Sequence, residues 1–257
     1  MSTESKFSSN PLAVSRKAAK LREASQYQYE FSDQTVSEAE LYDLVFSKGP
    51  LKITVLECDT LIISNCIALF GIEIEGLVRN LVLDNVTGEI TNSCISCQNI
   101  IVSGGGSKKK APLKISSSKI EDLKRLELRT NAALIYSDVL HNLRADEIVI
   151  GKNAKLTLMS SHVISEKLNV GDGGIIAFSD QVDVKYDDLR SKLAQPLCKL
   201  LAAETVITTS SQLHFSGKGF EFNKASFSEY ALDEADTGIL SFTSKGRLQN
   251  IRVFLKR

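Results

Sequence analysis

Short apolar pairs separated by one residue recur from Leu51 onward. They begin about every ten residues and are divided by polar or turn-forming residues. The segments are LKI at 51, LII at 61, IEI at 72, LVL at 81, IIV at 100, LKI at 113 and LEL at 126. Such alternation over a few residues predicts short β-strands with one buried side.

Three later segments repeat one another closely. LELRTNAAL, IVIGKNAKL and LNVGDGGII begin at Leu126, Ile148 and Leu168, so the second step is only slightly shorter than the first. Equivalent positions hold Asn131, Asn153 and Gly173, then Leu134, Leu156 and Ile176, then Tyr136, Leu158 and Phe178. A unit of this size cannot bury its own apolar side, so it must stack on its neighbours. The sequence predicts an all-β dominated chain, a parallel right-handed β-helix with like positions about 4.8 Å apart.

The first fifty residues have a different pattern. Pro11 followed by KAAKLREA predicts one short helix. Ser37 and Glu40 form a capping box ahead of LYDLVF, which predicts a second helix. Residues 1–50 are therefore expected to be a helical arm or cap on a β-helix of residues 51–182.

The C-terminal part is divided in two. Leucines at helical spacing around Pro196 predict an inserted helical segment over residues 183–204. Apolar alternation returns in LHF, FEF, ILSF and IRVFL, so residues 205–257 are expected to form terminal β coils or a cap.

The charge balance narrows the classes of partner. Lys plus Arg and Asp plus Glu are both 31, so no net charge draws the chain to nucleic acid or an anionic membrane. The sequence starts with a polar stretch, MSTESKFSSN, and contains no apolar run long enough to form a membrane-spanning helix. We therefore predict neither a signal peptide nor a membrane span, and a cytoplasmic location.

Four of the five cysteines lie close together in the sequence. They are Cys58, Cys66, Cys94 and Cys97. The last two form a CxxC pair, which makes the four thiols candidate ligands for a zinc ion. Only one such pair is present, and reduced cysteines buried in the core are the alternative interpretation. We predict no cofactor.

A second candidate site is the run SGGGSKKKAP, which contains Lys108, Lys109 and Lys110. It lacks the GxxxxGK[ST] pattern of a phosphate-binding loop. The interpretations are a solvated loop that bulges from the solenoid and a contact for an acidic protein partner.

An enzymatic alternative depends on one column of the repeat. Asp138, Ser160 and Asp180 occupy equivalent positions, so the two aspartates would lie two coils, roughly 9.6 Å, apart. That distance is at the outer edge of the carboxylate separation in inverting glycosidases. Asp138 and Asp180 are therefore the candidate catalytic pair of a polysaccharide hydrolase or lyase. His141 and His162 are one position out of register and do not form a stacked pair.

Residues 57–104 resemble a known family. Ile63-Ser64-Asn65-Cys66 and Leu83-Asp84-Asn85-Val86 are similar to the coils of the β-helix domain shared by adenylyl cyclase-associated proteins and tubulin cofactor C. The resemblance implies actin or tubulin handling and supplies no site residue. The repeats at 126–178 also resemble the passenger coils of bacterial adhesins, and the chain is similar to bactofilins, which polymerise end to end.

The leading hypothesis is a non-enzymatic scaffold. Its β-helix would present a flat side wall to a protein partner, because the repeats predict an extended sheet while no catalytic set is evident. The alternatives are the polysaccharide-acting enzyme and a self-assembling structural protein of bactofilin type, so a homo-oligomer remains open.

Overall fold

The structure is a computed structural model that describes residues 20–104, 111–138, 141–159 and 161–179, together with the backbone of residues 198–207, 212–216, 220–222, 239–244 and 247–256. Of residues 32–34, 162, 178 and 179, only the backbone is described.

Every regular element in this described part of the chain is a β-strand. The strands are β1 Arg22–Glu23, β2 Gln28–Tyr42, β3 Leu44–Phe46, β4 Leu51–Ser64, β5 Ile67–Ala68, β6 Ile72–Asp84, β7 Glu89–Ile90, β8 Cys94–Ser103, β9 Leu113–Ser116, β10 Lys119–Glu121, β11 Arg125–Leu128, β12 Ala133–Ser137, β13 Leu143–Ile150, β14 Lys155–Met159, β15 His162–Val170, β16 Ile175–Ser179, β17 Cys198–Ile207, β18 Gln212–Ser216, β19 Phe220–Phe222, β20 Ile239–Ser244 and β21 Arg247–Lys256.

The strands stack in parallel as the coils of a β-solenoid of about seven turns. The predicted register is confirmed, since Leu126 pairs with Ile148 and Ile148 pairs with Leu168. One inward column runs through most of the stack and consists of Ala39, Leu61, Leu81, Ile100, Leu126, Ile148 and Leu168. Equivalent side chains therefore lie above one another along the whole described column.

The apolar pairs supply the core. Leu81 and Leu83 are fully buried, while Val82 between them points outward and is half-buried. The same holds for the other pairs, because side chains alternate across a strand. Burial of each Leu or Ile contributes about 1.5–3 kcal/mol, so the repeated pairs supply most of the apolar stabilisation.

The long strands of the N-terminal coils bend at one point. The pairing of β4 with β6 shifts between Val55 and Glu57, which leaves Leu56 unpaired and 59% exposed. On the neighbouring coil Gly76 has a φ of 120°, and a Cβ there would lie 1.8 Å from the Val55 carbonyl oxygen. Only glycine fits this close approach, and the bend turns each coil from one face to the next.

The helix predicted from Ser37 is wrong. Residues Gln28–Tyr42 form strand β2, in which Ala39 pairs with Leu61 and Leu41 pairs with Ile63. Stacking on a formed coil overrides the local capping signal, because Ala39 and Leu41 also fit the period of a strand. The helix predicted from Pro11 through KAAKLREA lies in part on residues 11–19, outside the described residues. Its last turn is wrong, because Arg22–Glu23 form strand β1, which pairs with β3.

The prediction of an inserted helix over residues 183–204 is wrong for the residues that the structure describes. Residues 183–197 lie outside the described residues, whereas 198–204 belong to β17, which pairs in parallel with β15. The four later apolar segments form β18, β19, β20 and β21. Strand β21 pairs in parallel with β18 and antiparallel with β20, so the direction of the chain reverses only in this terminal hairpin of the described part.

Candidate docking wall

One side of the solenoid is a broad parallel sheet, which we call the long wall. It consists of the outward side chains of β4, β6, β8, β11, β13 and β15. Its outer column is Thr60, Asn80, Asn99, Arg125, Glu147 and Lys167. Its central column is Ile62, Val82, Ile101, Glu127, Val149 and Asn169, and a third column, Ser64, Asp84 and Ser103, borders the first three coils.

The upper half of the long wall, on residues 28–104, is aliphatic at its centre. Ile62, Val82 and Ile101 are half-buried and form a continuous outward stripe. Beside it, Asn99 Nδ2 donates to Asn80 Oδ1 at 2.8 Å, and Asn80 donates to the backbone at 3.0 Å. These amides are held in one orientation by the stack itself.

The other border of the stripe is equally ordered. The Asp84 carboxylate accepts a hydrogen bond from Ser103 at 2.6 Å and another from Ser64 at 3.3 Å. Both hydroxyls lie on neighbouring coils, so the carboxylate ties three coils together. The upper half of the wall is therefore a rigid aliphatic strip between two polar ladders whose groups already have partners.

The lower half of the wall, on residues 111–179, carries charges of alternating sign. Arg125 contacts Glu147 on the next coil and Glu127 on its own coil at 3.2 Å. Lys167 lies 3.9 Å from Glu147, which also accepts from Asn169 at 2.7 Å. Exposed ion pairs are worth at most about 1 kcal/mol each, so their main effect is a surface of mixed charge without a dominant sign.

The candidate zinc ligands do not converge. Cys58 and Cys97 point into the core in one column with Val78 between them, which places them about 9.6 Å apart. Cys66 faces the core beyond the end of β4, and Cys94 is exposed on β8. Among the described residues, no group of three or more His, Cys, Asp or Glu side chains could hold a metal ion.

The buried thiols are also poorly reactive. Burial raises the pKa of Cys66 to about 11 and that of Cys97 to about 11, and it raises the pKa of Cys58 as well. Metal binding and redox exchange require the thiolate. These three cysteines therefore behave as small core residues.

Asp138 has a structural position. Its carboxylate is buried and accepts from the backbone N–H of Ser118 at 2.8 Å and of His141 at 3.0 Å. It belongs to a buried corner column, since Ser118 Oγ accepts from the Ser93 N–H at 3.3 Å and Ser93 Oγ accepts from the Ile74 N–H at 2.9 Å. Each side chain satisfies a main-chain donor of a neighbouring coil, as a buried N–H requires.

Other predicted site residues are not described. Ser160 and Asp180, the remaining members of the candidate catalytic column, lie outside the described residues, as do Lys108, Lys109 and Lys110.

A second ladder was missed by the sequence reasoning. Asp43, Asn65 and Asn85 all have φ between 50° and 58°, and the side-chain amide of each asparagine donates to the residue one coil before it. The available signal was a constant offset, because each of them stands four residues after a member of the inward column.

Comparison with known protein families, with curated proteins and with solved structures found no match. In the described part of the chain, no helix has the length and apolar character that crossing a bilayer requires.

Proposed function

We propose that this chain is a non-enzymatic scaffold that binds a protein partner on the upper half of the long wall. The observation that carries the proposal is the outward stripe of Ile62, Val82 and Ile101 between two hydrogen-bonded polar ladders. Apolar surface at the centre and polar groups at the rim are the arrangement of a protein interface.

Rigidity favours this surface over an ordinary exposed sheet. The Asn80–Asn99 amides and the Asp84 carboxylate are already fixed by their neighbours, so a partner would not have to order them. The entropy lost on association is correspondingly smaller. The stripe supplies about 25 cal/mol for each Å² of apolar surface that the partner covers.

The setting of this function is also a proposal. Cytoplasmic residence is supported by the free thiols of the four cysteines with described side chains, because unpaired cysteines are typical of reducing compartments. An actin- or tubulin-handling role is supported by the similarity of the ISNC and LDNV segments to cytoskeletal β-helix domains.

The test places a charge in the stripe. We expect Val82→Glu to weaken partner binding at least about tenfold, because a carboxylate would be buried against apolar surface without a counter-ion. Ile135→Glu is the matched control, since Ile135 is also a half-buried outward aliphatic residue but lies on β12, outside the long wall, between Lys114 and Thr157. Binding is measured by co-sedimentation with actin filaments and microtubules, and with proteins that co-purify with the native chain.

Two results would contradict the proposal in different ways. One result is equal binding by the wild type and Val82→Glu, with a cooperative thermal unfolding transition showing that both proteins are folded. This result would exclude the long wall as the docking site. Absence of binding to either filament, together with a Val82-dependent co-purifying protein, would remove only the cytoskeletal role.

A further inference from the structure

Two exposed leucines lie side by side on the outer surface of the bend. Leu56 is 59% exposed and Leu77 is 41% exposed, whereas the aliphatic side chains in the stripe of the long wall are only half-buried. Leu77 pairs with Glu57, the residue that follows Leu56, so the two leucines lie on neighbouring coils, which are about 4.8 Å apart. We call this pair of side chains the leucine ridge.

The stack does not require leucine at this position. Below Leu77 the same column continues with Ser96 and then with Glu121, both of which are polar. Adjacent exposed apolar side chains surrounded by polar residues are typical of a binding site. The ridge therefore has the character of a contact surface.

Carboxylates border the ridge on three sides. Glu57 pairs with Leu77 on the coil above, and Glu75 lies two residues before Leu77 on the same outward side. On the coil below, Ser96 pairs with Leu77, and its hydroxyl donates to the Asp122 carboxylate at 2.7 Å. The apolar centre is thus surrounded by acidic groups.

Most cations of this surface lie against other carboxylates. The ion pairs are Arg79 with Asp59 at 2.7 Å, Lys119 with Glu121 at 2.6 Å and Lys52 with Glu73 at 2.9 Å. The surface segments 52–59, 73–79, 94–98 and 119–124 together contain six acids and four cations. The surface around the ridge is therefore negative, which attracts a basic ligand and repels phosphate groups.

We propose that the leucine ridge binds a short basic segment of a partner protein. Apolar side chains of the segment cover Leu56 and Leu77, and its Lys or Arg side chains lie against Glu57, Glu75 and Asp122. Docking of two ridges from two copies of this chain is disfavoured, because their acidic borders would face each other. The site lies on the bend, apart from the stripe, and does not depend on the docking proposed for the long wall.

The apolar contact is tested with a fluorescein-labelled peptide of alternating leucine and lysine residues, titrated into the full chain and followed by fluorescence anisotropy. The variant Leu56→Ser, Leu77→Ser is expected to bind the peptide at least about tenfold more weakly than the wild type. The matched control is Leu69→Ser, Phe70→Ser, since these side chains are 64% and 60% exposed but lie between β5 and β6. This control is expected to bind like the wild type.

The charge of the border is tested separately. The variant Glu57→Gln, Glu75→Gln should bind at least about threefold more weakly at low salt, and the difference should shrink at high salt because ions screen the attraction. The control Asp146→Asn, Glu166→Gln removes two exposed acids from the lower half and should bind like the wild type. A peptide with glutamate in place of lysine should not bind.

Several results would overturn the inference, once thermal unfolding has shown that each variant is folded. They are absence of peptide binding by the wild type, unchanged binding by Leu56→Ser, Leu77→Ser, and an equal loss in the control with serine at positions 69 and 70. Loss of binding in Val82→Ser would assign the peptide to the long wall instead. Self-association of the wild type that sedimentation velocity no longer detects in Leu56→Ser, Leu77→Ser would assign the ridge to a second copy.

Discussion

The two halves of the solenoid turn their corners by different means. In the upper half the corner residues Asp43, Asn65 and Asn85 are joined from coil to coil, with amide-to-oxygen distances of 2.6 and 2.8 Å. The bonds run along the axis of the stack. The side chains of these corner residues are therefore fixed by the neighbouring coils.

In the lower half each corner has a hydrogen bond that closes it within its own coil, in addition to backbone bonds between coils such as that from the Asn131 N–H to the Lys152 carbonyl at 2.9 Å. The segments RTNA, GKNA and GDGG form β-turns in which the N–H of the fourth residue donates to the carbonyl of the first, over 2.9, 3.1 and 2.9 Å. The third residues of the turns are Asn131, Asn153 and Gly173, with φ of 60°, 54° and 65°. Asn and Gly tolerate this left-handed conformation at low cost.

The difference explains why only one kind of corner is recognisable in the sequence. A turn closed by its own hydrogen bond needs a similar four-residue pattern in every coil, and this repeated pattern is visible in the sequence. A ladder between coils needs only one suitable residue per corner, and its strength depends on a residue about twenty positions away.

The largest expected effect comes from the bend, which belongs to the upper half. Gly76→Ala should lower the free energy of unfolding by about 3 kcal/mol, because the new Cβ would clash with the Val55 carbonyl and the φ of 120° is closed to alanine. Gly49→Ala is the control, since a Cβ there meets only Tyr27 at 4.0 Å. Urea denaturation measures the free energy of unfolding of both variants. If Gly76→Ala lost no more stability than Gly49→Ala, the bend would not require glycine at position 76.

The two kinds of corner should respond differently to glycine. Asn65→Gly should cost about 1–2 kcal/mol, because it removes a donor and an acceptor of the ladder while leaving the backbone angle allowed. Asn153→Gly should cost a few tenths, since the turn is closed by the Ala154 N–H. Equal losses in urea denaturation would show that the ladder adds nothing beyond backbone conformation.

The smallest effect at neutral pH is that of the buried thiols of the upper half, where the four cysteines with described side chains lie. These thiols lower the stability only at alkaline pH. Folding raises the pKa of Cys66 and of Cys97 from 9.0 to about 11. Between these values the unfolded thiol has lost its proton and the native thiol has kept it, so stability falls as the pH rises. Well below pH 9 both states are protonated and the thiols have no effect. The slope is at most about 1.4 kcal/mol per pH unit for each thiol.

Substitution isolates this contribution. The double variant Cys66→Ala, Cys97→Ala should show a shallower loss of stability between pH 8.5 and 10 than the wild type, in urea denaturation at each pH. Cys94→Ala should keep the wild-type slope, because that side chain is exposed. A double variant as pH-sensitive as the wild type would contradict the assignment.

The same contrast explains what the sequence could predict. The columns of Leu126 and Leu134 were predicted correctly because the lower turns repeat at nearly constant steps. In the upper half, the inward pairs such as Leu81 and Leu83 were predicted as strands. Their stacking partners were not, because the steps from coil to coil are unequal there and no repeated turn marks the register.

The failures share one physical cause. The Ser37 capping box and the leucine spacing around Pro196 are local signals. Pairing with strands distant in sequence overrides the first, and overrides the second over residues 198–204. The long wall was expected as a flat surface, but its Asn80–Asn99 and Asp84 ladders join residues about twenty positions apart. No pattern within a single coil reveals such contacts.

Self-contained turns have a consequence for how such a molecule changes length over evolution. A duplication or deletion whose ends lie at equivalent positions of the GKNA and GDGG turns would add or remove one complete coil, about 4.8 Å along the axis. The coils on either side would keep their register. The number of coils can therefore change in the lower half of the molecule while the proposed docking face of the upper half stays unchanged.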